Sequence, residues 1–247
     1  MSSRSRKRHS GGTQDLMEVD TDGSLSDEHQ LLLQYLMHAR MSKKMDVSRI
    51  HGKLFNDSEN LKESLKIITS KINALKMDIK SVCCDVSGET YFVLIHSTGE
   101  SFFPKSCMFS QSQLEFLKKL LIGIVLSESG MIGKIAALNS CTTLSKMEAD
   151  NTLRQFVKDK IFLELPEGKL ALSPLAIVEF EPFFRASLED NLQSCELCRQ
   201  LVFFGKVCPN CDQKFHRHCV YKWLESGHSD CSKCKEQWDD GMLTETE

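Results

Sequence analysis

The chain has 247 residues, 41% of them hydrophobic and 26% charged, ordinary values for a soluble globular protein of one or two domains, or more if they are small. A net charge of -3 argues against coating nucleic acid through bulk attraction, and the longest apolar run, residues 120–126, falls far short of the roughly 18 needed to span a membrane. No apolar stretch follows the N-terminus as a secretory signal would, so the eleven cysteines point to metal ligation in a reducing compartment rather than to a disulfide scaffold.

Residues 1–26 are rich in Ser, Gly, Asp and Arg, with few apolar side chains to bury, and are expected to be a disordered tail. Its basic run, Arg4, Arg6, Lys7 and Arg8, suits nuclear localisation, a phosphate contact or plain solvation. Leu31, Leu32, Tyr35 and Leu36 then form a stripe at helical spacing, and Val47, Ile50 and Leu54 form a second. Leu61, Leu65, Ile68, Ile72, Leu75 and Ile79 predict one face of a long helix, entered through the cap candidates Asn56, Asp57 and Ser58. Residues 82–86 and 91–95 flank Ser87-Gly88-Glu89-Thr90 and predict a β-hairpin.

The order then recurs. Ser110 and Gln113 make a capping box before Leu114, Leu117, Leu120, Leu121, Ile124 and Val125. A short segment covers residues 132–138, and a second capping box, Ser145 with Glu148, opens a helix carrying Met147, Leu153, Phe156 and Val157. Strands at 161–165 and 170–172 follow, joined by the turn Pro166-Glu167-Gly168-Lys169. Three helices and a terminal hairpin, occurring twice, predict an α+β chain: two tandem winged-helix domains, residues 27–108 and 109–190, ahead of a small module at 191–238 and a disordered tail at 239–247. On the third helix of the second domain Arg154, Lys158 and Lys160 alternate with Glu148, Asp150 and Asp159, so little counterion release is expected on phosphate contact. These domains are read as protein-binding, with DNA contacted only weakly or indirectly.

Residues 195–234 hold seven cysteines and one ligating histidine, spaced Cys195-x2-Cys198-x9-Cys208-x2-Cys211-x4-His216-x2-Cys219-x11-Cys231-x2-Cys234. A two-residue gap lets both ligands of a pair chelate from one tight turn, and Zn2+ takes four thiolate or imidazole ligands tetrahedrally. Alternate pairing gives two closed zinc sites: Cys195, Cys198, His216 and Cys219 on one, Cys208, Cys211, Cys231 and Cys234 on the other. No position stays open for a catalytic water. Each metal is expected to contribute roughly 10–16 kcal/mol of apparent binding energy to folding a segment too short for its own core. His218 is the rival to His216, which keeps the two-residue gap of the other pairs. Cys83, Cys84, Cys107 and Cys141 are read as small half-buried hydrophobes.

The ligand order fits both the PHD finger and the variant RING, and the residues between ligands separate them. A PHD finger usually carries an aromatic two residues before the seventh ligand, where this chain has Ser229. A RING usually has Trp four residues after the sixth ligand and an aliphatic residue before the second, matching Trp223 and Leu197. Together these two would form the shallow groove that receives a ubiquitin-conjugating enzyme, although Trp223 would equally serve to pack a short helix on the zinc sites. Two departures, Ser232 for a common Pro and Lys235 for a common Arg, predict weak or partner-dependent activity; lysine keeps the charge but loses the bidentate fork.

A variant RING behind two predicted winged helices, with Trp238 just past the last ligand, resembles the non-SMC element 1 family, the RING-bearing subunits of the structural maintenance of chromosomes five/six complex. The resemblance covers residues 31–238. It implies winged helices that embrace a MAGE-family subunit, contacts with the kleisin and ATPase subunits, and a nuclear, chromosome-associated role in DNA repair by homologous recombination. It also implies ubiquitin-ligase activity assisted by the MAGE partner, with Leu197, Trp223 and Lys235 serving the conjugating enzyme. The rivals are a non-enzymatic scaffold whose zinc module clamps that partner and a histone or DNA reader.

Overall fold

A computed structural model describes residues 24–56, 60–96, 109–238 and 242. The basic run at Arg4–Arg8, Asp57, Ser58 and Cys107 lie outside the described residues. Helix α1 (Asp27–Ala39) is capped by Ser26, and strand β1 (Met41–Lys43) and helix α2 (Lys44–Phe55) follow directly. Leu32 and Leu36 of the first predicted stripe are core residues, whereas Leu31 faces solvent. Helix α3 (Leu61–Ile72) starts from Asn60, whose side chain accepts the Lys62 N–H. Asn56, a cap candidate in the sequence, instead ends α2 in the left-handed conformation at φ 47°.

The predicted long helix stops seven residues short of Ile79. After a short 3-10 turn over Asn73–Leu75, Lys76 turns left-handed at φ 57° and strand β2 (Met77–Cys83) begins. Leu75 is consequently exposed, and Ile79 pairs across the sheet with Leu94 of β3 (Thr90–His96). Seven residues of antiparallel pairing outweigh a periodicity that ran on by coincidence. The hairpin is therefore longer than expected and begins earlier, and residues 84–86, expected to end a strand, belong to its turn. β1 pairs with the outer edge of β3, giving the order β1-β3-β2.

The second half repeats this order. Helix α4 (Gln111–Val125) and helix α6 (Lys146–Lys158) both open on the expected capping boxes. Between them the segment expected at 132–138 divides into strand β4 (Met131–Gly133) and helix α5 (Lys134–Ser140). Strands β5 (Phe162–Leu165) and β6 (Lys169–Leu172) form the hairpin, and the sheet order is β4-β6-β5. Two helices absent from the sequence reading, α7 (Pro174–Glu179) and α8 (Glu181–Leu188), follow.

These helices join the halves. Alternate residues of β3 serve opposite faces, as strand geometry requires: Phe92 and Leu94 pack on α1–α3, while Val93 and Ile95 pack with Leu175 of α7. Arg40 donates to both carboxylate oxygens of Glu179, at 2.9 and 3.0 Å. Burial pushes the Glu179 carboxyl above its usual range, against the pull of Arg40. Lys160 donates to the Ala39 and Met41 carbonyls at 2.7 and 3.0 Å, so it is held between the halves instead of facing outward from the third helix. Arg154 is likewise paired, with Asp150. No helix among the described residues is long and apolar enough to cross a membrane.

Candidate metal centre

The last segment contains little regular structure: strands β7 (Lys206–Val207) and β8 (Lys214–Phe215) and helix α9 (Arg217–Glu225). Its order comes from three copies of one turn. In the first, the Cys195 N–H donates to the Gln200 carbonyl (2.8 Å) and the Arg199 N–H to the Cys195 carbonyl (2.7 Å). Cys208 with Asp212 and Cys231 with Lys235 repeat both bonds at the same spacing. Arg199, Asp212 and Lys235 are all left-handed, with φ between 56° and 65°. Each such turn brings the two thiols of a Cys-x2-Cys pair to one side.

The eight sequence-predicted ligands fall into two groups, Cys195, Cys198, His216 and Cys219, and Cys208, Cys211, Cys231 and Cys234, each with ligand atoms all within 4.8 Å of one another. Zinc–sulfur bonds of about 2.3 Å at tetrahedral angles set sulfurs about 3.8 Å apart. Cys208 to Cys234 measures 3.9 Å and Cys211 to Cys231 3.8 Å. His216 Nδ1 lies 3.3 Å from Cys198 Sγ and 3.8 Å from Cys219 Sγ. The donor set and its dimensions fit a tetrahedral divalent cation at each group.

Electrostatics agree. A hydrogen bond from the Cys219 thiol, aided by His216 against burial, holds Cys195 at about 3, and the same pairing pushes Cys219 far up. In the second group burial pushes Cys211 up to about 12; burial opposes ionisation of Cys208 too, but the N–H groups of Asn210 and Cys211 outweigh it and bring this thiol to about 7. Without a metal the thiols of a group cannot all ionise; a bound cation would supply the compensating charge.

His218 stands outside both groups. It stacks on His216 with ring centroids 4.9 Å apart, and burial, then the neighbouring His216 charge, lower its pKa to about 4. Behind His216 stands a residue that no metal-ligand motif includes. His216 Nε2 meets Asp85 Oδ1 at 3.2 Å and the Leu201 carbonyl at 3.0 Å. Asp85 comes from the β2–β3 turn, so no local spacing could have pointed to it.

The loop between the first two ligand pairs ties this segment to both halves. Leu201 and Phe203 enter the core of the second half, where Phe203 lies 5.2 Å from Phe184, while Val202 faces the metal groups. Gly130, after α4, presses against the Phe203 carbonyl so closely that a Cβ there would sit 1.9 Å from the oxygen. Lys214 donates to the carbonyls of Glu128 and Phe203. Phe215, Val220 and Trp238 form the small core around the ligands, and Met242, expected in a disordered tail, is buried against it.

The residues expected to meet a conjugating enzyme remain at the surface. Leu197 and Trp223 are half-buried, each packed on this core, and Lys235 is exposed. The Trp223 indole N–H donates to the Asp230 carbonyl at 2.8 Å, and its ring stacks on His228 at 3.8 Å. Outside the groups, Cys84 is buried and Cys83 and Cys141 are partly so, as small hydrophobes would be.

Comparison with known proteins agrees with these features. Residues 195–234 match the model of a RING-like domain, and residues 29–139 match that of the Nse1 non-SMC component of the SMC5-6 complex. The chain is 28% identical over 228 residues to the non-structural maintenance of chromosomes element 1 homolog of Rattus norvegicus, covering 87% of this chain and 85% of that one. The Homo sapiens homolog is 27% identical with the same coverage, and the Drosophila melanogaster one 23% over 187 residues, 72% of this chain and 79% of that protein. Among solved structures, a chain of an Nse1-Nse3-Nse4 complex matches with a TM-score of 0.77 at 23% identity, over 87% of this chain and 97% of that chain. Over most of its length the chain is thus similar to the Nse1 non-SMC components of SMC5-6 complexes.

Proposed function

We propose that this chain is a RING-type ubiquitin ligase subunit of an SMC5-6 complex, acting in the nucleus in DNA repair by homologous recombination. Its two metal groups would hold Zn2+ as structural ions, and its chemistry would need no nucleophile of its own. Zinc shapes the module; Leu197 and Trp223 receive a ubiquitin-charged conjugating enzyme; Lys235 helps hold ubiquitin. The rate gain comes from restricting the thioester to a near-attack arrangement. The observation that carries this reading is Trp223, anchored through its indole N–H yet left at the surface on the helix behind the sixth ligand.

The halves, each ordered helix, strand, helix, helix, hairpin with the first strand on the outer edge, are read as winged helices at 27–108 and 109–190, with the zinc module at 191–238. The likeness to a chain of the solved Nse1-Nse3-Nse4 complex supports a MAGE-type subunit and a kleisin as partners. ATPase subunits would be reached through them, and DNA only indirectly.

Single-turnover discharge of a charged conjugating enzyme tests the ligase reading, with the chain alone, with its MAGE-type partner, and with Trp223→Ala. Partner-accelerated discharge that Trp223→Ala removes, with zinc content and partner binding intact, supports it. Background discharge across a panel of conjugating enzymes leaves the scaffold reading. That alternative draws support from the way Phe203, Gly130 and Lys214 fix the module to the rest of the chain.

A further inference from the structure

Asp85 is 5% exposed, lies outside both ligand groups, and belongs to a part of the chain 118 positions from the module backbone that it binds. A buried carboxylate is costly unless its oxygens are occupied. Here they are: Oδ1 accepts from His216 Nε2 at 3.2 Å, and Oδ2 from the Phe203 and Phe204 N–H groups at 3.0 and 3.3 Å.

The turn that presents Asp85 is built like the ligand turns. The Cys84 N–H donates to the Glu89 carbonyl (2.8 Å), the Gly88 N–H donates to the Cys84 carbonyl (2.9 Å), and Gly88 is left-handed at φ 70°. These are the two bonds, at the same spacing, that close the Cys195, Cys208 and Cys231 turns. The turn also lies directly on the module: a Cβ on Gly88 would meet the His218 Cβ at 3.4 Å. His216 Nε2 faces only acceptors, the Asp85 carboxylate and the Leu201 carbonyl, so it carries the ring proton. When a metal displaces the other ring proton, the lone pair is thereby left on Nδ1, the atom turned toward the cysteines. A carboxylate behind a ligating histidine fixes its tautomer and plane and strengthens it as a ligand.

We infer that Asp85 is a positioning residue for the metal held by Cys195, Cys198, His216 and Cys219, so that retention of this ion, and not of the other, depends on the β2–β3 turn of the first half staying docked. The inference rests on the zinc reading proposed above. Failure of that reading would appear as a chain that purifies without zinc.

The test is zinc release from the full-length, zinc-loaded chain into an excess of a chromophoric chelator. Asp85→Ala removes the carboxylate, and Asp85→Asn keeps its shape while placing N–H donors against N–H donors. In both, one of two zinc equivalents is expected to leave faster, by about 10- to 100-fold, with the second unchanged. Glu89→Gln, on the same turn but with its carboxylate on Lys43, should release both at the wild-type rate. Nitrogen-15 NMR of His216 gives a second readout: the Nε2–H should be protected from exchange in the wild type and lose protection in Asp85→Asn. Two unchanged release phases in Asp85→Asn with a still-protected Nε2–H overturn the inference. Equal acceleration of both phases also overturns it, since Asp85 would then only hold the fold together. If Asp85→Ala does not fold, the near-isosteric Asp85→Asn decides.

Discussion

Replacing Gly130 with alanine tests whether the zinc module is seated on the second half as closely as the structure has it. Gly130 has φ +66°, where an L-residue costs about 1–2 kcal/mol. The added Cβ would also lie 1.9 Å from the Phe203 carbonyl oxygen, against a practical minimum of 3.0 Å, so the loop must retreat by about 1 Å. That retreat stretches the Lys214 bond to the Phe203 carbonyl and the Phe203 N–H bond to Asp85, now 3.4 and 3.0 Å. Hydrogen bonds to charged groups contribute about 1.5–3 kcal/mol each, so losing one or both brings the total to roughly 2.5–8 kcal/mol. Two glycines separate the contributions. Gly168 has φ +65° but its nearest neighbour would be 3.8 Å away, so Gly168→Ala should show only the conformational cost. Gly133 has neither a positive φ nor any atom within 4 Å, so Gly133→Ala should lie within about 0.5 kcal/mol of wild type. Urea unfolding of the zinc-loaded chain measures all three. A Gly130→Ala midpoint equal to that of Gly168→Ala would refute the close approach.

Phe203→Ala empties a site in the second-half core and should cost about 3–5 kcal/mol while zinc content stays at two per chain, measured by denaturant unfolding and metal analysis. Stripping the metals with a chelator should expose residues 206–234 to proteolysis and leave the two larger cores protected, since neither contains a ligand. Glu148 accepts from Ser145 in the capping box, which holds its pKa below the ordinary 4.5. Its stabilising contribution is therefore complete above about pH 4.5 and lost as pH falls through the lower folded value. The melting-temperature gap between wild type and Glu148→Ala should close on going from neutral to strongly acid solution.

The grouping of the candidate ligands was legible in the sequence because chelation is local: two thiols two residues apart share one turn whatever the rest of the chain does. The capping boxes at Ser110 and Ser145 and the hairpin at 162–172 were legible for the same reason, since each closes within a few residues. Where local signals were ambiguous, distant partners decided. Ile72, Leu75 and Ile79 keep helical spacing, yet pairing with β3 makes Ile79 a strand residue and leaves Leu75 in solvent. Helix α7 covers the far face of β3, and α8 brings Phe183 and Phe184 into the second-half core, contacts that the sequence does not announce. Spacing favours His216 over His218, and the tertiary structure adds what spacing cannot supply: His216 Nδ1 is grouped with the three cysteines and the Asp85 carboxylate lies behind its ring, while His218 stands outside both groups. Spacing along a chain can specify which side chains chelate together; only packing between segments more than a hundred residues apart can specify what orients them.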